Sequence, residues 1–223
     1  MFDFKLTFFF CFAILILSGD KMKILKYIKK SNGNYQVVLD NNKKLELNEN
    51  VIVKYNLLYK KDIDEDLLNE IISENNKYGI YNKCIKYIGV RIRSINEIRE
   101  YLKKNKIDLE LSNKIIDKLV ANKLLDDSMF AKAFINDKFN FTTMGPYRIK
   151  QELKKHKIDD DIIDKYIYDI DEDKIDEKIN KQILKIDKTS KNKNNLKNKV
   201  YSKLIALGYS SDQILRNINN YDF

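Results

Sequence analysis

A chain of 223 residues with 43% apolar content has room for one sizeable domain, or for a small domain joined to a repeat array, and can fill a core. One Pro and six Gly argue against a loop-rich all-β fold, and two Cys with one His exclude a disulfide framework, a zinc site or a His-based metal cluster. The net charge of +9 suits a polyanionic partner, but 37 of the 42 basic residues are Lys and Asn and Ile are also abundant, so the bias of an AT-rich genome accounts for the charge equally well.

Residues 6–17, LTFFFCFAILIL, are too few to span a bilayer as a helix, which takes ~20 apolar residues. Two readings compete. The run resembles a signal-peptide core, although its leader MFDFK holds one Lys offset by Asp3. Alternatively, Met22 opens a natural start, MKILKYIKK, and residues 1–21 are a mis-called upstream extension. The two Cys and one His read as a reduced, cytoplasmic chain, with this N-terminal run as the one complication.

Residues 22–77 are expected to form a small α/β segment. Tyr35, Val37 and Leu39 alternate with Gln36, Val38 and Asp40 between the turn-rich stretches Ser31–Asn34 and Asp40–Asn42, and Leu45 and Leu47 alternate beyond the second. That pattern predicts a meander of two or three strands, which needs a helix to cover it. Val51, Ile52, Tyr55 and Leu58 suit a short helix. Residues 64–75 suit another, with Leu67, Leu68, Ile71 and Ile72 on one face.

From residue 78 onward the chain repeats itself. Ile98, Ile149 and Val200 are spaced by 51 residues, as are Leu102, Leu153 and Leu204, then Ile107, Ile158 and Tyr209, then Ile116, Ile167 and Ile218. Helix-type segments at such a period mean one supersecondary unit used several times. Three-helix units are expected at 78–125, 126–171 and 172–223, the third being the most divergent, with a Lys/Asn-rich junction at 188–199. The fold class is therefore mainly α, a tandem array of three-helix repeats behind a small β-containing segment. Start signals support the register. Ser94-Ile95-Asn96-Glu97 is a capping box, and Gly145-Pro146 stands at the equivalent place in the second unit. Asp126 and Asp127 are expected to serve as an N-cap and a first-turn acid, with Phe130, Ala131, Phe134 and Ile135 turned inward. Asp108, Asp159 and Ser210 are expected to cap the third helices.

Charge follows the repeat. Residues 83–106 hold eight basic and two acidic residues, whereas residues 159–173 hold eight acidic residues and one Lys. The middle helices are thus basic and the third helix of the second unit acidic, so a stacked array can carry a positive ridge or a merely solvated Lys-rich surface. Arg91, Arg93, Arg99 and Arg148 all lie in or just before the middle helices. Their planar forks suit phosphate or carboxylate. Salt bridges to the acidic third helices are the competing use.

The residues Arg93-Ser94-x-x-Glu97-Ile98-x-x-x-Leu102, Ile107-Asp108, Leu125-Asp126-Asp127-x-x-Phe130-Ala131 and Gly145-Pro146-x-Arg148-Ile149-x-x-Glu152-Leu153, with Leu119 and Ile158, together resemble the RecX regulatory family over about residues 22–220. The resemblance implies a tandem array of three-helix units that binds the recombinase RecA and its filament on single-stranded DNA. It also implies modulation, most often inhibition, of recombinase, ATPase and coprotease activity. In that setting Arg91, Arg93, Arg99, Lys103, Arg148, Lys150 and Lys154 are the candidate contacts with RecA or DNA, on a monomer that needs neither membrane nor cofactor. One departure stands out. Where the family usually has Gly before the Ile, this chain has Lys106 and Lys157, and only the third unit keeps Gly208. Either the first two turns take another shape, or Asn105 takes over the left-handed position in the first.

No phosphate-cradling Gly loop and no paired acid–base set is present, so catalysis is not expected. His156 reads as a charge at a helix C-terminus, and Cys84 as a core residue beside Ile85 and Ile88. Two other functions remain: a helix-turn-helix DNA-binding module acting without RecA, and a secreted or anchored helical protein resting on residues 1–21 alone.

Overall fold

The computed structural model describes residues 21–190 and 195–222. The expectations for residues 1–20, and for the Lys residues at 191 and 193, lie outside that range. The described chain forms two compact units, one up to Tyr87 and one from Ile88.

The first unit holds a four-stranded antiparallel sheet in the order β3-β2-β1-β4, built from β1 (Met22–Lys29), β2 (Asn34–Leu39), β3 (Lys44–Asn48) and β4 (Asp62–Ile63). The two expected turns close the meander. Gly33 and Asn42 both sit at positive φ, +83° and +63°, where Gly and Asn are the residues best tolerated. Alternation sends Tyr35, Val37, Leu39 and Leu47 to one face, which α1 (Glu49–Lys54) covers through Val51 and Ile52. Sequence reading missed β4, a two-residue edge too short for a periodic signal.

The helix expected over 64–75 is longer: α2 runs from Glu65 to Ile88 without a break at the anticipated start of the array. Its periodic apolar face ends near Ile72, but no Gly-Pro or cap signal stops the backbone there, so the helix continues through polar residues. Cys84 is buried in its last turns, and burial pushes the thiol up to about 11.

In the second unit α3 (Ile95–Lys104) packs on α4 (Leu109–Ala121). Two three-helix groups follow: α5 (Asp127–Phe141), α6 (Pro146–Lys155) and α7 (Asp160–Ile167), then α8 (Glu172–Thr189), α9 (Leu196–Leu207) and α10 (Ser211–Asn219). The repeat positions are the core. Ile98, Ile149, Val200, Leu102, Leu153 and Leu204 are all fully buried, each worth about 1.5–3 kcal/mol of transfer free energy. The last two groups share one continuous core from Phe130 to Ile218.

Candidate functional site

The three middle helices, α3, α6 and α9, meet end to end at two junctions. Between α9 and α6 the contact is backbone to backbone. The Gly145 N–H donates to the Leu207 carbonyl at 2.7 Å, and the Tyr147 N–H to the Gly208 carbonyl at 3.0 Å. Orphan donors at the start of α6 are thus satisfied by orphan acceptors at the end of α9, with the two helix dipoles head to tail. Such proximity needs two glycines. A Cβ on Gly145 would lie 2.5 Å from the Gly208 carbonyl carbon and oxygen. A Cβ on Gly208, at φ +91°, would lie 2.5 Å from the Arg148 backbone N and Cβ. The Arg148 guanidinium adds a bond to the Ala206 carbonyl at 3.3 Å, and the Tyr209 hydroxyl, pushed up to about 12 by burial, donates to the Thr143 carbonyl at 3.4 Å.

Between α6 and α3 side chains take over. Ser94 occupies the place equivalent to Gly145, and its expected capping box forms: Ser94 Oγ accepts from the Glu97 N–H at 3.1 Å, and Glu97 Oε2 accepts from the Ser94 N–H at 3.3 Å. The same carboxylate takes both ends of the Arg91 guanidinium, at 2.6 and 3.0 Å, with Arg93 and His156 Nδ1 each 4.0 Å away. His156 comes from the end of α6, where its ring lies 5.1 and 5.4 Å from the rings of Phe130 and Phe134. Burial raises the Glu97 pKa most strongly as a single influence, but the Arg91 hydrogen bond and charge, the Ser94 N–H and His156 together hold it below the ordinary value. Asp127 completes the junction. Asp126 caps its own helix through the Ser128 and Met129 N–H groups, whereas Asp127 accepts from the Ile95 N–H at 2.8 Å and so caps α3 in the preceding unit. Burial, reinforced by Asp159 and Asp126, raises its pKa despite that bond and the nearby Arg99.

The seven candidate contact residues do not converge on one spot. Arg91 and Arg93 gather at Glu97, and the Arg93 side chain is only 11% exposed. Arg99 is half-buried. Arg148 belongs to the glycine junction. Lys150 pairs with Asp164, and Lys154 with Asp160 at 2.9 Å, both on the acidic α7. The salt bridges to an acidic third helix that the sequence offered for the arginines are made instead by these two lysines, while Arg91 and Arg93 face Glu97 of α3 and Arg148 the Ala206 carbonyl. Lys103 stands exposed in the last turn of α3.

The turn after each middle helix corrects an expectation. Asn105 has φ −85°, and Lys106 and Lys157 themselves adopt the left-handed conformation at +58° and +56°. The shape is that of the Gly208 turn. The bonds Ile107 N–H to Leu102 O and Lys106 N–H to Lys103 O recur as Ile158 to Leu153 and Lys157 to Lys154, then as Tyr209 to Leu204 and Gly208 to Ile205. The bond pattern and the buried or half-buried residue after each turn hold the conformation, at a strain of ~1 kcal/mol per Lys relative to Gly. The near-identical hexapeptides KKNKID (103–108) and KKHKID (154–159), 51 residues apart, were the sequence signal for these lysines.

Among the described residues no helix is long and apolar enough to cross a membrane. Two family models match the chain: "RecX, first three-helix domain" over residues 81–119 and "RecX, second three-helix domain" over 126–167. A regulatory protein RecX from Lactococcus lactis is 32% identical over 201 residues, covering 88% of this chain and 70% of that protein. One from Halalkalibacterium halodurans is 31% identical over 140 residues, 61% of this chain, and the match spans about half of that relative's length, 53%. A crystal structure of a regulatory protein RecX superposes with a TM-score of 0.78 at 23% identity, covering 90% of this chain and all of that one, a likeness of fold. With its helical array, its capping pattern and a relative this similar over most of its length, the chain belongs to the RecX family of regulatory proteins.

Proposed function

We propose that this chain regulates the RecA recombinase by binding RecA and its filament on single-stranded DNA, lowering recombinase, ATPase and coprotease activity. Membership of the RecX family carries this reading. The structure adds support of a physical kind: the middle helices are joined at their ends, and solvent-exposed basic turns follow the first two of them. In this reading the units at 78–125, 126–171 and 172–223 act as successive modules of a cytoplasmic monomer. The exposed Arg91, Lys103, Arg148 and Lys154 lie at the contact surface, and the half-buried Arg93, Arg99 and Lys150 shape it from within. The competing use of such an array, selective duplex binding without RecA, is separated by sedimenting the chain with RecA filaments on single-stranded DNA and footprinting it on naked duplex. Co-sedimentation without a footprint is expected. A discrete duplex footprint together with no retention on RecA filaments would sink the proposal.

A further inference from the structure

We infer that the turns Lys103–Lys106 and Lys154–Lys157 form a pair of phosphate-contacting units for single-stranded DNA, with the left-handed Lys106 and Lys157 as their outermost charges. The choice of single-stranded DNA rests on the function proposed above.

Eight described residues sit at positive φ. Five of them, Gly33, Asn42, Asn56, Asn195 and Gly208, are the Gly or Asn that such a backbone favours. The other three are lysines, at 106, 123 and 157. Asn is abundant in this chain, so the lysines are not there for want of an alternative. A strained residue that persists where an unstrained one would serve points to a use for its side chain.

Two of the three share a context. Lys106 and Lys157 each close a turn with three lysines in four residues, after equivalent middle helices. Both are exposed, and among the described residues neither side chain forms an ion pair or hydrogen bond. Their neighbours Lys154 and Lys155 are tied to Asp160 and Glu152, which leaves Lys157 as the charge of that turn with no internal partner. The third middle helix supplies the contrast. Its turn reads Ile205-Ala206-Leu207-Gly208, it is packed against Gly145 and Arg148, and it has no lysine. Lysine thus stands at the left-handed position where that residue is exposed, and Gly where it is buried against Gly145 and Arg148. Lys123 has the same backbone shape but stands alone, after α4, and serves as a control. Lys is a compact point charge suited to phosphate without base recognition, so the surface fits a backbone rather than a sequence.

The test uses the full chain, a fluorescently labelled oligothymidylate, anisotropy over a series of salt concentrations, and thermal unfolding. For Lys106→Gly/Lys157→Gly the melting midpoint is expected to rise by several degrees, because strain is relieved. Affinity is expected to fall about tenfold, and the slope of log K against log salt to shrink by ~1.4, two contacts at ~0.7 each. Lys106→Asn/Lys157→Asn should weaken binding equally. Lys123→Gly should raise the midpoint and leave the slope unchanged. An unchanged slope in both double variants, an equal loss in Lys123→Gly, or a parent chain that binds no oligonucleotide would each overturn the inference. RecA is absent throughout, so the outcome is independent of whether the chain regulates RecA, which the RecA ATPase decides separately.

Discussion

The two junctions between middle helices occupy equivalent places and use opposite chemistry. At the second, Gly145 and Gly208 let backbones touch, and carbonyls of one helix satisfy amides of the next. At the first, Ser94 and Lys157 stand where the glycines would be, and a carboxylate with two arginines and a histidine fills the gap. A backbone contact fixes one geometry and tolerates no added atom. A side-chain contact keeps the geometry but makes it dependent on charge, and so on pH and salt. The shared core of the last two groups agrees with this division.

The largest expected effect falls on the glycine junction. Gly145→Ala places a Cβ against backbone atoms that no rotamer change can move, and should cost about 2–3 kcal/mol in denaturant unfolding. The equivalent Ser94→Ala removes only a cap, worth about 1 kcal/mol. Equal losses at the two sites would erase the contrast between the junctions.

The charged junction should respond to pH with two signs. Glu97 is held below the ordinary carboxylate value, so its contribution is present above the unfolded pKa of about 4.3 and is lost as pH falls through the lower folded value. Glu97→Gln should therefore cost about 1 kcal/mol at neutral pH, with the difference from the parent vanishing in acid. Asp127 has the opposite shift. Its charge is a penalty above the raised folded pKa, relieved as pH falls through that value. Asp127→Asn keeps an acceptor for the Ile95 N–H and should be neutral or slightly stabilising at pH 7, by less than about 1 kcal/mol. Measuring the midpoint of unfolding from pH 3 to 8 for both variants checks both signs.

What the sequence made legible was local or periodic. The repeat positions became the core, the Ser94–Glu97 box and the Asp108 and Asp126 caps formed, and the meander closed at its two turns. These depend on residues within about four positions of one another or on a fixed period. The rest depended on distant partners. Asp127 reads as a first-turn acid until Ile95, 32 positions away, is found beneath it. Gly145 reads as a helix start until Gly208 is found in contact with it. The left-handed lysines were legible only in part: they stand where the third unit keeps Gly208, yet φ follows from the turn's bonds and the residue after it, not from the side chain. Lys150 and Lys154 show the limit of charge mapping, since a basic ridge beside an acidic helix looks the same whether the two pair or not.

The most direct measurement is the single-stranded-DNA-dependent ATPase of RecA titrated with this chain, the Arg93/Arg99/Arg148 triple Ala variant alongside. Regulation of the filament requires ATP hydrolysis to fall at substoichiometric protein, with the triple variant weaker than the parent. RecA turning over at its full rate in the presence of an equimolar amount of the parent chain would contradict it.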